Sequence, residues 1–265
     1  RSASHVMGLQ AALAERAGRG DPTVALLTPG PHHEDYFSHA YLARYLGYLL
    51  VEGNDLRTVG DLIYLKTLEG LKQVDIIVRC VEGHSADPLE LDPAGFGGPV
   101  GLLQVVRQTP GLVVNTIGAA VVQNRGLGVY LPAICRHVLG EELLLPDTPR
   151  RWLGAAPHAT DTLGDLDQLV VRKAQEGMGR PGRAALGRRA ADLTAADREL
   201  LLSEVGLLGD RLVAEPKPNF GTMPSLTDGR LVPTPFAVRL FVTRGSDGFA
   251  LMPGGLAMSI DADKA

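Results

Sequence analysis

With 265 residues and 45% hydrophobic content, the chain is long enough for one large or two ordinary domains and can fill a substantial core. A net charge of -4 and only 5% aromatic residues give neither the electrostatics nor the stacking platforms of a nucleic-acid surface. The apolar runs fall short of the roughly 20 residues needed to cross a bilayer, and no charged-then-apolar leader opens the chain. A cytoplasmic protein with no nucleic-acid and no membrane partner is therefore expected. Two cysteines, Cys80 and Cys135, form no motif with each other and read as reduced thiols of a cytosolic protein.

Residues 1–20 read as one leading helix, with Val6, Leu9, Ala12 and Leu13 on a face and a stop at Gly18-Arg19-Gly20. Residues 24–55 then give strand, helix and strand: Val24-Ala25-Leu26-Leu27, a Thr28-Pro29-Gly30-Pro31 turn, an apolar stripe at Phe37, Tyr41, Leu42, Tyr45 and Leu46, and Leu49-Leu50-Val51. This is a βαβ unit of parallel strands, whose ligands collect at the strand carboxyl ends, where Thr28, Gly30, Glu52 and Asp55 fall. Residues 62–65 follow a tight turn at Gly60-Asp61, and residues 74–78 read as a third core strand ended by Arg79. After a loop at 82–99 come a helix near 101–107 and a strand at 111–114 ended by Asn115. Asn115-Thr116-Ile117-Gly118 opens a helical stretch through Val122, and residues 131–139 form a helix stopped by Gly140.

Three prolines and the lone Trp152 between residues 146 and 157 mark a domain boundary. Beyond it, residues 169–173 form a strand, residues 177–189 are rich in glycine and arginine, and Thr194 caps a helix through Val205. Residues 211–215, 236–242 and 249–252 read as strands, with hairpin signals at Thr227-Asp228-Gly229 and Ser246-Asp247-Gly248, so an antiparallel sheet is expected.

Several constellations bear on chemistry. Gly177, Gly179 and Gly182 satisfy G-x-G-x-x-G, but Pro181 stands where a phosphate-binding helix should start. A surface loop and a Gly/Arg flap over phosphates both remain open. Arg172 and Lys173 adjoin on a strand and point to opposite faces, one to solvent and one available to a nucleotide phosphate. His32-His33-Glu34 reads as a solvated first turn, since adjacent histidines diverge. Asp87, Glu90 and Asp92 read as an acidic loop. Arg239 shares a strand face with Ala237 and Phe241, and a charge on an apolar face must be paired or bind an anion.

Longer stretches go further. LLTPGP (26–31), YFSHAYLARYLGY (36–48), LVEGNDL (50–56), VDIIVRC (74–80), DPLEL (87–91), LPAICRHVLGEELLLP (131–146) and LMPGGL (251–256) resemble, in order, the circularly permuted ATP-grasp type 2 family. These are glutathionylspermidine synthase-like ATP-dependent carboxylate-amine ligases. The resemblance implies an α/β fold: a Rossmann-like three-layer substrate domain (21–148) after the leading helix, then part of an α+β ATP-grasp module with antiparallel strands (149–265). It also implies a peptide-forming reaction through an acyl phosphate, with ATP and Mg²⁺ as cofactors and a small carboxylate and amine as substrates. Under it, Arg79 and Arg239 are catalytic cations. Arg172, Lys173, Gly177, Gly179, Gly182 and Glu215 hold the nucleotide, with Glu215 at the adenine edge. Thr28, Gly30, Glu52, Asp55, Asn115 and Gly118 hold substrate, and the metal ligands are unassigned.

The family pattern has two arginines where Arg79-Cys80 stands, an acidic residue at Gln123 and an arginine at Ala257-Met258. With Arg1 in place of Met and family members about twice as long, a fragment is expected, completed by a companion domain or a homo-oligomer. A catalytically inactive homologue serving as a binding module is the alternative.

Overall fold

Leu9, Leu13 and Ala17 recur at the spacing of one helical face, and they are the side on which α1 (Ser2–Ala17) packs. The strands beneath it are β1 (Val24–Leu27), β2 (Leu49–Val51), β6 (Ile76–Arg79) and β7 (Val113–Val114), in the order β2-β1-β6-β7 and parallel throughout. Both faces of this sheet are covered, which is why its strands are runs of apolar residues rather than alternating ones. Val24, Ile76 and Val78 face α1. Ala25, Leu27, Ile77 and Val113 face the opposite core, with Leu102 and Val105 of α3 (Leu102–Gln108) and residues of an antiparallel meander. The meander consists of β3 (Leu56–Val59), β4 (Leu62–Thr67) and β5 (Gly70–Val74). The structure is a computed structural model and describes residues 2–95, 97–154, 164–175, 187–245 and 247–260.

Two expectations change here. The run at 74–78 is not one strand: β5 ends at Val74 and β6 begins at Ile76, in different sheets. Asp75 makes the joint. Its carboxylate accepts from the Thr23 N–H at 2.7 Å and pairs with Arg19 at 3.3 Å, so a polar residue sits where one strand would need an apolar one. The helix after β1, α2 (Tyr36–Leu46), buries Ala43 and Leu46 rather than its aromatic stripe. Phe37 is 85% and Tyr41 70% exposed. Gly47 ends α2 in the left-handed conformation, as its position predicts.

The loop between β6 and α3 is fastened by Asp87. This fully buried carboxylate accepts from the N–H groups of Leu89 at 2.9 Å, Gly101 at 3.1 Å and Leu103 at 2.8 Å. Backbones touch here: a Cβ on Gly53 would meet the Gly98 carbonyl at 2.8 Å. The strand-end turn after β2 therefore rests directly on the loop that Asp87 holds.

By internal contacts the chain divides into Arg1–Ala120 with Leu240–Gly255, and Val121–Arg239 with Leu256–Ala265. The second unit contains α4 (Arg125–Gly128), capped by the Asn124 side chain, and α5 (Leu131–Leu139), ended by left-handed Gly140. Its sheet is β8 (Arg151–Trp152), β10 (Leu212–Pro216) and β9 (Leu169–Lys173) in that order, antiparallel. Leu201 and Val205 of α6 (Ala195–Leu208) fill its core with Val171, Leu212 and Ala214. Thr194 caps α6 by accepting from the Asp197 N–H at 3.2 Å. Trp152 packs edge-on against Tyr130 and donates from Nε1 to the Asp210 carbonyl at 2.9 Å. A third sheet orders β11 (Thr222–Thr227), β12 (Arg230–Gly245) and β13 (Gly248–Ser259); the expected hairpin at Thr227-Asp228-Gly229 joins the first two, and Ser246 of the second expected hairpin lies outside the described residues.

Replacing Asp87 with Ala strands three buried or half-buried N–H donors. The expected loss is about 3 kcal/mol, read as a lower urea midpoint at unchanged slope.

Candidate functional site

A parallel sheet covered on both faces can present polar groups only at its strand ends. The registers Leu27↔Val51, Leu27↔Arg79 and Val78↔Val114 bring four carboxyl ends into one row: Glu52, Thr28, Arg79-Cys80 and Asn115. The chain leaves β1 outward to β2 and returns past β1 to β6, so the crevice between β1 and β6 is the switch point where such sheets take ligands. Thr28 and Cys80 border it.

Thr28 is 1% exposed, and its N–H bonds the Val51 carbonyl at 2.9 Å. Its Oγ1 lies 3.0 Å from Nδ1 of His39 and accepts from the Gly30 N–H at 3.4 Å. Gly30 has φ 103°, and a Cβ there would sit 3.2 Å from the Glu52 carboxylate. Only glycine fits both demands. The Glu52 N–H donates to the Asp55 carboxylate at 2.8 Å, so Asp55 shapes the turn that carries Glu52.

Arg79 spends its guanidinium on backbone. It donates to the carbonyls of Asn115 at 3.0 Å, Thr116 at 3.2 Å and Val81. These bonds tie the ends of β6 and β7 together. Burial lowers its pKa below the ordinary arginine value, partly offset by Glu82. Among the described residues no carboxylate pairs with it at ion-pair distance. Its guanidinium is hydrogen-bonded only to backbone carbonyls, with Glu82 acting on it from beyond ion-pair distance, which leaves room for an arriving anion. Cys80 beside it is half-buried, and burial pushes its thiol up, so it is a poor nucleophile. Gly118 follows in a 3₁₀ run, Ile117–Gln123, with open space where its Cβ would be.

In the second unit the cofactor candidates form a charge chain. Glu215 is buried on β10, and its carboxylate lies 2.8 Å from Nε of Arg150 and 2.8 Å from Nε of Arg172. The first contact is a hydrogen bond; the second has ion-pair distance without hydrogen-bond alignment. Arg150 also meets Asp147 at 2.6 Å. Burial disfavours charge on Arg150, but its bonds to Glu215 and Asp147 outweigh that and raise its pKa. The Lys173 carbonyl accepts from Nη1 of Arg125 at 3.2 Å.

Arg239 differs from the expectation. The stretch of β12 around it, Val238 and Leu240 included, is exposed, and Phe241 is half-open, so no apolar face forces a partner on Arg239. Gly177, Gly179 and Gly182 lie outside the described residues. Among the described residues no three His, Cys, Asp or Glu side chains cluster as a metal site.

His39 and Arg150 join these sites without having been singled out from sequence, and Asp87 was read only as part of an acidic loop. His39 shares the inward face of α2 with Ala43 and Leu46 at i, i+4 and i+7, a spacing that was available to find it. Asp87 precedes Pro88 like many loop acids, and Arg150 lies in a proline-rich stretch; neither carries a local signal.

The chain belongs to the circularly permuted ATP-grasp type 2 family, whose model matches residues 1–259. It is 33% identical over 236 residues to an uncharacterized protein of Mycobacterium bovis, covering 89% of this chain and 26% of that one. An uncharacterized protein of Mycobacterium tuberculosis is 32% identical over 240 residues, 89% of this chain and 42% of its own. One of Synechocystis is 28% identical over 235 residues, 89% and 48%. The family match, running through nearly the whole chain, gives no support to the expected fragment. The chain spans between a quarter and a half of the length of these relatives. Among the described residues no helix is long and apolar enough to cross a membrane.

Replacing Glu215 with Gln leaves Arg172 without its carboxylate and Arg150 with Asp147 alone; an expected loss of about 3 kcal/mol is measurable by denaturant titration. The pKa of His39 is lowered from 6.5, chiefly by burial, with Asp35 opposing and His33 adding to the shift. The unfolded chain therefore binds the proton more readily. This contribution is present above pH 6.5 and declines as pH falls through the lower folded value, so the wild type should lose stability on acidification more steeply than His39→Gln.

Proposed function

We propose that the chain is part of an ATP-dependent carboxylate-amine ligase that forms a peptide-type bond through an acyl phosphate. Family membership supports the nucleotide and reaction class. The observation that carries the reading to this chain is the row of strand ends at the switch point, with Arg79 held there by backbone carbonyls and in no ion pair among the described residues. A carboxylate to be activated needs a fixed cation in a partly dry setting, and Arg79 offers one on a rigid sheet. Thr28, Gly30, Glu52, Asp55 and Asn115 then line the substrate side. Small-molecule acid and amine substrates follow from the reaction class.

For ATP, the strand pair β9–β10 supplies Arg172 and Lys173 for phosphate, Glu215 on the neighbouring strand and Arg239 on β12. The fit is partial. Arg172 and Glu215 already neutralise one another, and Pro216 removes a backbone donor beside the adenine-edge position. Mg²⁺ is proposed to arrive with the nucleotide, its protein ligands unassigned. Bound ATP would supply the phosphoryl group; this chain's residues hold, orient and dehydrate.

The second reading, a catalytically silent binding module, is favoured by Cys80. It is a half-buried thiol with no charge where the resemblance expects a second guanidinium. In that case the strand-end row binds a small acid or a partner without turnover.

Calorimetric titration with Mg²⁺-ATP separates them. Micromolar binding, weakened about tenfold by Lys173→Ala or Arg239→Ala, is expected of the ligase. Binding unchanged in both variants would remove the nucleotide-site assignment, and no binding by the wild type would leave the silent module.

A further inference from the structure

Beside the strand-end row stand two imidazoles whose hydrogen-bond partners fix which ring nitrogen carries the hydrogen of the neutral ring. Thr28 is buried, so its hydroxyl hydrogen must find an acceptor within the protein. Its two partners are the Gly30 N–H, which can only donate, and Nδ1 of His39 at 3.0 Å. Nδ1 of His39 is therefore the acceptor, and the proton of the neutral ring sits on Nε2. His33 reaches the same state independently, because its Nδ1 accepts from the Asp35 N–H at 3.2 Å. The two rings lie nearly parallel, 22° apart with centroids 5.9 Å apart. Neither Nε2 has a partner among the described residues. Neighbouring rings with free Nε2–H groups place two N–H donors within reach of one small anion.

Across Gly30 stands an acceptor. The Glu52 carboxylate lies against the Gly30 α-carbon, within about 5 Å of it by the position a Cβ would take. The Gly30 N–H is in turn 3.4 Å from Thr28 Oγ1. The turn after β1 thus carries two imidazoles, and the Glu52 carboxylate from the end of β2 lies against its Gly30. A phosphate, with its dense negative charge, is a poor match for a site containing Glu52 and neutral imidazoles. A zwitterion matches both halves.

We propose that His33 and His39 bind the carboxylate of an amino-acid or peptide substrate through their Nε2–H groups, while Glu52 binds its ammonium. This rests on the ligase reading, whose substrate class it names.

The test uses the full chain, with histidine nitrogen–proton NMR spectra titrated with glycine, acetate, methylammonium and inorganic phosphate. The free protein should show His33 and His39 as Nε2–H tautomers, and glycine should shift both. Glycine should bind about fivefold more tightly than acetate or methylammonium, the worth of one further partly exposed ion pair. Glu52→Gln, at an exposed position, should abolish that preference while retaining the acetate response, and His33→Ala should weaken both. An Nδ1–H tautomer at either ring, silence towards glycine, or an equal response to phosphate overturns the proposal. Mg²⁺-ATP calorimetry on the same sample keeps the two readings apart. ATP binding with no glycine response sinks only the zwitterion pocket, whereas a glycine response without ATP binding supports the pocket and sinks the ligase.

Discussion

The pairing of β1 between β2 and β6 is the interaction on which the first unit depends. It makes β1 a central parallel strand, dry on both faces, so Leu26 and Leu27 are fully buried and nothing polar is tolerated before Thr28. The strand end is then the first place where the chain can carry chemistry, and neighbours in register deliver Glu52 and Cys80 beside it. Rigidity follows from the same pairing. Side chains that leave a well-packed sheet at its rim inherit its fixed positions, which is what a binding site requires.

The rim is reinforced by backbone rather than by bulk. Gly53 rests on Gly98, Asp87 gathers three N–H groups of the supporting loop, and Arg79 ties the ends of β6 and β7 through carbonyls. Each uses a polar group or a missing side chain where a hydrophobic contact would close the crevice. The second unit solves a different problem. There Asp147, Arg150, Glu215 and Arg172 alternate in sign, so four charges are carried with little net field.

Much of the fold was legible because local signals agreed. The strand Leu169–Lys173 and the helix Leu131–Leu139 with its terminal Gly140 lie where apolar periodicity and glycine place them. The hairpin at 227–229 did as well. The split at Asp75 was not legible, since an apolar run with one acid resembles a single strand until Thr23 and Arg19 arrive from 52 and 56 residues away. The stripe on α2 misled in part: its Leu46 is buried, but its aromatic members are exposed and Ala43, outside the stripe, is buried. Of the site, Thr28, Glu52, Arg79 and Asn115 were readable as strand ends. What each one touches was not, because Arg79 bonding to Asn115 and Thr116 is a fact of register between strands distant in sequence.

The position of Trp152 has a spectroscopic consequence. It is the chain's single tryptophan, and it lies in the second unit with Tyr130, ring centroids 6.4 Å apart. The other five tyrosines, Tyr36, Tyr41, Tyr45, Tyr48 and Tyr64, all belong to the first unit. Emission excited at the red edge therefore reports the second unit alone, while tyrosine absorbance is weighted towards the first. Two optical signals from one unlabelled sample thus distinguish which half of the chain responds to a ligand, and whether the two halves melt together.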